Sequence, residues 1–293
     1  MIEGTIFKAL SGFYYVRTGE GEVACKARGR FRLDGTSPLV GDRVALALNA
    51  DGSGRIERVL PRRNFFIRPA VANVDALVFV AANTNPVTDP FLVDRVSVIA
   101  AESDCEMIIC LNKIDLDAGD ELFGIYSAAG FKVLRTSAET GEGIDVLRAA
   151  LRGKVCAFTG NSGVGKSSIL NALIPGADIR TDEVSESLGR GKHTTRHVEL
   201  YPLGEDTYIA DTPGYASFDV HIMKPVPKER LQYDFPEFRP CLGKCRFDDC
   251  AHLREPGCAV RAALEEGAIG KSRYASYERL YELAAQQKPW DVK

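Results

Sequence analysis

No apolar run in this chain approaches the length of a bilayer crossing. The strongest, Ala76–Ala82, spans seven residues, where a spanning helix needs about 20. The opening Met1-Ile2-Glu3-Gly4 carries an acid and no long apolar stretch, so no export signal is expected there. A soluble, cytoplasmic protein without a membrane partner is the expectation. Excess charge is missing too: 37 Lys+Arg stand against 40 Asp+Glu, a formal net charge of −3. That balance argues against a uniformly basic nucleic-acid binder and leaves only local patches open. Neither an internal repeat nor a low-complexity tract appears, and 45% hydrophobic with 26% charged residues excludes disordered and collagenous classes.

What is present divides into three textures. At roughly 150 residues per domain, the 293 residues allow about two domains, or one with small neighbours. Residues 1–63 hold short segments rich in aromatic and β-branched residues, such as Phe13-Tyr14-Tyr15-Val16 and Arg43-Val44-Ala45-Leu46, separated by turn clusters such as Asp51-Gly52-Ser53-Gly54. A small β-barrel of the oligonucleotide-binding (OB) type is expected. This stretch has 11 basic and 7 acidic residues, with Lys26, Arg28, Arg30 and Arg32 alternating. If they share one strand they share one face, which would be basic.

From 64 to 225, apolar runs alternate with helical patterns, the signature of a parallel sheet with crossover helices. Candidate strands are 76–82, 107–111, 132–134, 155–158 and 208–210. With 14 basic and 22 acidic residues, this part is a poor grip for a polyanion. Residues 226–293 hold a cysteine cluster and a polar helical tail.

Gly160-Asn161-Ser162-Gly163-Val164-Gly165-Lys166-Ser167, followed by Ser168, fits G-x-x-x-x-G-K-[ST] in the order strand, loop, helix. Glycines let backbone amides face phosphate oxygens, the helix N-terminus adds partial positive charge, Lys166 reaches the terminal phosphates and Ser167 can ligate Mg²⁺. A cradle does not choose a base. Asn112-Lys113-Ile114-Asp115 supplies what does: the Asp115 carboxylate can accept from both N1–H and the 2-amino group of guanine, donors that adenine does not pair. Asn112 and Lys113 would brace that loop against the cradle. Thr136-Ser137-Ala138 looks like the loop on the other side of the base. Asp211-Thr212-Pro213-Gly214 would set Asp211 near Mg²⁺ and the Gly214 amide near the γ-phosphate.

These motifs, with Arg68-Pro69-Ala70-Val71-Ala72-Asn73-Val74-Asp75 and Gly189-Arg190-Gly191-Lys192-His193-Thr194-Thr195, together resemble the ribosome small subunit-dependent GTPase A family over nearly the whole chain. The base reader precedes the cradle, the reverse of ordinary GTPases, so the domain reads as circularly permuted. The resemblance implies hydrolysis of GTP to GDP and phosphate, action in late maturation of the small ribosomal subunit, stimulation by that subunit, and rRNA binding by the barrel and the C-terminal segment. A monomer is expected.

Residues 182–198 lack a core-facing period and read as a mobile switch loop, in which Thr194 or Thr195 would complete the Mg²⁺ shell. After Gly214, where many GTPases place a glutamine that orients water, stands Tyr215. His193 is the candidate substitute, and the resemblance points to it as well. Finally, Cys245, Cys250, His252 and Cys258 gather three thiolates and an imidazole within fourteen residues, a set suited to closed tetrahedral, structural Zn²⁺. All four line up with the zinc motif of the resembled family, and Cys241 reads as an ordinary cysteine. The expected fold is thus α/β: a circularly permuted P-loop GTPase domain (64–225), an N-terminal OB-type barrel (1–63) and a zinc-binding helical C-terminal segment (226–293). The competing classes are a nucleotide-gated RNA scaffold and a small-molecule P-loop kinase. Asn112 to Asp115 stand against the kinase.

Overall fold

The computed structural model describes residues 1–29, 31, 37–67, 70–176, 198–204, 206–211 and 226–286. Five strands open the chain: β1 (Ile2–Leu10), β2 (Phe13–Thr18), β3 (Gly21–Ala27), β4 (Arg43–Leu48) and β5 (Gly54–Val59). They close in the order β1-β2-β3-β5-β4-β1, with β3 and β5 parallel, the circuit of a five-stranded OB-type barrel. Ile6, Val16, Cys25, Val44, Leu46 and Ile56 fill it.

The expected run of alternating cations does not form one strand. β3 stops at Ala27, and Arg28 beyond it turns to Glu57 at 2.7 Å; Arg30 and Arg32 lie outside the described residues. Most other barrel cations are also paired, Arg17 with Glu22, Arg43 with Glu3 and Arg62 with Asp42. Much of the barrel's positive charge is therefore paired, while Lys26 keeps no acidic partner among the described residues.

A short hairpin, β6 (Phe65–Ile67) and β7 (Ala70–Ala72), leads into β8 (Ala76–Ala82), and a bridge from Val40 to Val71 ties it to the barrel. β8 is buried at all seven positions, as expected of a strand covered on both faces. Then follow α1 (Pro90–Glu102), β9 (Glu106–Asn112), α2 (Asp120–Ala128), β10 (Lys132–Arg135), α3 (Ile144–Leu151), β11 (Val155–Thr159), α4 (Lys166–Leu173), β12 (Val198–Gly204) and β13 (Thr207–Asp211). The sheet runs β10-β9-β8-β11-β13-β12, parallel except for β12. Alternation along β8 sorts the core: Leu77, Phe79 and Ala81 face the α1 and α2 side with the barrel, while Ala76, Val78 and Val80 pack against α3 and α4.

β12 also pairs antiparallel with β1, at Lys8↔Glu199 and Ala9↔Val198, with the Lys8 ammonium 3.1 Å from Glu199. Barrel and sheet thereby become one eleven-stranded sheet.

The C-terminal unit contains two 3₁₀ turns (Leu231–Asp234 and Pro236–Phe238), α5 (Ala259–Glu265) and α6 (Lys271–Ala285). Its core of Leu231, Phe235, Phe238, Tyr274 and Tyr277 includes Val98 of α1. Arg273 bolts the junction. Its guanidinium, 1% exposed, donates to Asp94 of α1 at 2.6 Å and to Glu237 at 2.6 and 3.2 Å. It also lies 4.5 Å from the Phe235 ring centroid. A buried cation needs such pairing, because desolvation of an unpaired one costs several kcal/mol.

Candidate functional site

In a parallel sheet all strands present their carboxyl ends on one side, where ligands bind. Here those ends carry the sequence motifs. β11 leads into the glycine-rich loop, β9 into residues 112–115 and β10 into residues 136–138. β9 lies two strands from β11, about 10 Å at ordinary strand spacing, which suits the separation of base and phosphates in a nucleotide.

The loop is held by close backbone approach. At Gly160, φ is +140° and a Cβ would stand 2.2 Å from the carbonyl oxygen of Val80; at Gly165, φ is +93° and a Cβ would meet the Asn112 amide at 2.3 Å. Both positions require glycine. Gly165 caps α4, whose first-turn amides have no intrahelical acceptor. Asn161, Ser162, Gly163 and Val164 complete the loop, with Val164 buried beneath it. Ser167 and Ser168 lie in the first turn of α4. Lys166 folds back over the loop, donating to the carbonyls of Gly160 and Asn161 at 3.1 Å each. Partial burial, which disfavours the charged ammonium, lowers its pKa from the ordinary lysine range.

Asn112, 3% exposed, joins three loops. Its Nδ2 donates to Val164 O in the glycine-rich loop at 2.9 Å, and its Oδ1 accepts from the Ala138 amide at 3.1 Å and from Thr136 Oγ1 at 3.4 Å. Ser137 Oγ donates to Asp115 Oδ1 at 2.5 Å, and the Ile114 amide donates to Thr136 O. Asp115 itself remains exposed, at the rim. Lys113 departs from the expectation that it braces the cradle: its ammonium donates to Asn85 O in the loop between β8 and α1. That loop is a wall that motif reading missed. Pro86 lies beside Gly163, and Asn83 Nδ2 donates to Asp117 Oδ1 at 2.9 Å. Nothing in the spacing of Asn83, Asn85 and Pro86 marks them as pocket residues; only the strand order does.

Asp211 ends β13, beside β11. His193, Thr194, Thr195 and Gly214 lie outside the described residues.

A second cluster lies in the C-terminal unit. One ligand atom from each of Cys245, Cys250, His252 and Cys258 falls within 4.8 Å of the others, a three-sulfur, one-nitrogen donor set that fits a tetrahedral zinc-type cation. His252 Nδ1 faces the sulfurs of Cys258 at 3.4 Å and Cys245 at 3.5 Å. The Ala259 amide lies 3.3 Å from Cys245 Sγ and the Arg261 amide 3.4 Å from Cys258 Sγ. Burial pushes the Cys250 thiol up to about 12, so a bound cation would have to draw off its proton. Cys241 is not in the cluster.

Glu255, inside the loop yet invisible to ligand spacing, gathers the amides of Ala251, Leu253 and Arg254 at 2.9 to 3.0 Å. Burial alone would raise its pKa, but these amides outweigh it and hold the carboxyl below the usual glutamate range. Tyr274 and Tyr277 donate to the carbonyls of His252 and Ala251 at 2.7 and 2.9 Å, fixing the loop on α6.

A glycine cradle on the central strand, an asparagine that clasps it to base-side loops from earlier in the chain, and a barrel fused to the sheet edge define a circularly permuted P-loop GTPase. Residues 59–221 match the model of the RsgA GTPase family and residues 3–56 that of the RsgA N-terminal domain. The chain belongs to the RsgA GTPase family, and so to the enzymes that hydrolyse GTP. The small ribosomal subunit biogenesis GTPase RsgA of Moorella thermoacetica is 46% identical over 279 residues, covering 94% of this chain and 95% of its own. Its counterpart in Caldanaerobacter subterraneus subsp. tengcongensis is 43% identical, covering 94% and 93%. Among solved structures, YjeQ from Thermotoga maritima aligns over 98% of this chain and 99% of its own at 34% identity, with a TM-score of 0.81. YloQ, a circularly permuted GTPase, aligns over 99% and 96% at 33% identity, with a TM-score of 0.80.

Proposed function

We propose that this chain hydrolyses GTP in the maturation of the small ribosomal subunit, that the subunit raises its turnover, and that the barrel and the C-terminal unit contact rRNA on either side of the GTPase domain. One observation carries the reading. The likeness to relatives named small ribosomal subunit biogenesis GTPases runs through the barrel and the C-terminal unit and not the nucleotide domain alone. Support for RNA contact on the barrel comes from Phe13 on β2, 40% exposed, paired in register with Lys26 of β3, whose ammonium lies 5.0 Å from the ring centroid. Among the described residues Lys26 has no acidic partner, leaving a cation beside a stacking surface.

In this reading the domain limits fall near residues 63 and 225. Asp115 reads guanine from the rim, with Ser137 orienting its carboxylate and Ala138 and Ile114 lining the base pocket. Asn112 and Lys113 fix the pocket's walls. Gly160 to Ser168 hold the phosphates through backbone amides, and Lys166 exchanges its two carbonyl acceptors for phosphate oxygens. Ser167, Asp211 and Thr194 or Thr195 would hold Mg²⁺, with the Gly214 amide at the γ-phosphate. When bound with GTP, Mg²⁺ neutralises charge on the β- and γ-phosphates. His193 orients the attacking water in place of the glutamine absent at Tyr215. The Cys245, Cys250, His252 and Cys258 set holds structural Zn²⁺. The protein acts as a cytoplasmic monomer with no membrane partner.

The test is GTP turnover with and without purified small subunits. A marked rise is expected, whereas identical turnover would favour a nucleotide-gated scaffold. Asp115→Ala separates the parts of the claim: it should erase the preference for GTP over ATP without touching the subunit's binding site.

A further inference from the structure

His252 offers two ring nitrogens, and only one faces the three sulfurs. Nδ1 lies 3.4 and 3.5 Å from Cys258 and Cys245 Sγ, while Nε2 lies 2.8 Å from Oε1 of Gln232. Gln232 sits in the 3₁₀ turn Leu231–Asp234, thirteen residues before the first cysteine of the cluster. Its other amide atom settles the orientation, since Nε2 of Gln232 donates to Glu229 O at 3.2 Å. With the amide nitrogen committed to a carbonyl, the oxygen facing His252 can only accept, and the imidazole must carry its proton on Nε2. Nδ1 is then a lone pair aimed at the sulfurs. The opposite tautomer would turn an N–H toward the metal position and leave two unprotonated acceptors facing each other at 2.8 Å.

The ring has no freedom to evade this choice. His252 is 2% exposed, its ring meets Phe238 edge-on at 6.2 Å between centroids, and Tyr274 holds its carbonyl. We infer that Gln232 is a positioning residue for the metal cluster, fixing the Nε2–H tautomer of His252 so that Nδ1 binds the cation. The inference rests on the proposal that the four-residue cluster holds zinc. It adds a partner beyond the ligands, of the kind whose loss typically lowers metal affinity 10- to 100-fold. It also gives the turn Leu231–Asp234 a polar latch onto the metal loop.

The test uses the full-length, zinc-loaded protein. Long-range ¹H–¹⁵N spectra of the histidine-labelled chain should show His252 with its proton on Nε2 and the metal on Nδ1. Competition with a chromophoric chelator should show Gln232→Leu releasing zinc at a free-metal concentration about 10- to 100-fold higher than wild type. Gln232→Glu, which keeps the acceptor, should restore wild-type retention or exceed it. A His252 proton on Nδ1, or equal zinc retention in wild type and Gln232→Leu, overturns the assignment while leaving the metal site standing. A wild-type protein that takes up no zinc overturns both. Should Gln232→Leu fail to fold, the wild-type tautomer and Gln232→Glu still decide.

Discussion

Asn112 is one side chain serving three loops: it donates to Val164 O and accepts from Ala138 N and Thr136 Oγ1 inside a site almost closed to water. Truncation leaves a buried carbonyl and a buried amide without partners, and each such loss costs about 1–3 kcal/mol. Asn112→Ala should therefore weaken GDP binding by about 5- to 150-fold, read by titration with a fluorescent GDP analogue. Retained affinity would mean that the loops keep their places without the amide. Asn112 was legible in the sequence because its tetrapeptide follows an apolar run. Its partners were less so. The spacing pointed Lys113 at the cradle, yet its ammonium ends on Asn85 O, and no local pattern announces an acceptor 28 residues upstream. Gln232 and Glu255 share that obscurity, since a motif records ligands and not what holds them.

Among the elements, the turn Leu231–Asp234 carries a carboxyl under tension with its surroundings. Burial first, then Glu102, raise the Asp234 carboxyl to about 7, against the opposing pull of Arg230 and Arg239. One of its oxygens has no hydrogen-bond partner. An unfolded aspartate titrates near 4. The folded group thus keeps its proton where the unfolded one loses it, so its contribution to stability is complete below about pH 4 and is lost as pH rises through about 7. Asp234→Asn should flatten that decline. Urea midpoints at about pH 5 and about pH 8 measure it, and equal slopes in the two proteins would place the titrating group elsewhere.

The same scale shows what sequence patterning captures. β8, β9, β11 and β13 emerged from apolar runs, with ends displaced by at most a residue, because largely buried strands leave an unbroken signature; β10, an edge strand with no buried residue, shows only the pair Val133-Leu134. β12 escaped: it is interrupted by Pro202 and takes its register from β13 and β1 rather than from its own period. The hairpin of β6 and β7, three residues a side, is too short to show a period. Lys26 and Arg28 were read as one strand because alternation of charge looks the same whether or not the backbone continues. Arg273 with Asp94 and Glu237 joins residues 179 and 36 positions apart, a pairing that only packing reveals.

At the scale of the whole molecule, three apolar cores divide the work among the described residues: one shared by the barrel and one face of the sheet, one on the other face, and one in the C-terminal unit. The third is small and leans on α1 and on the Cys/His loop. Binding of a cation to such a loop is folding free energy for the unit around it. Chelator treatment should lower the calorimetric transition of the C-terminal unit by several degrees while leaving that of the barrel and sheet nearly in place. A superimposable trace would show that metal contributes nothing to folding. The junction with α1 sets how far the effect spreads, because Arg273 with Asp94, buried, and Arg230 with Glu102, at the surface, are polar ties between this unit and that helix.

The interleaved strand order also has a consequence for how the chain is made. As the polypeptide leaves the ribosome that synthesises it, β8, β9 and β10 appear first and already lie side by side, and β11 then docks against the open margin of β8. β11 in turn waits for β13, some fifty residues later. At about 5–20 residues per second, that leaves a bare hydrogen-bonding margin for on the order of several seconds. β1 waits far longer, since the barrel's last strand ends at Val59 while β12 begins only at Val198. The sheet that carries the nucleotide loops is therefore complete only once β13 and β12 have been made, well after the glycine-rich loop itself.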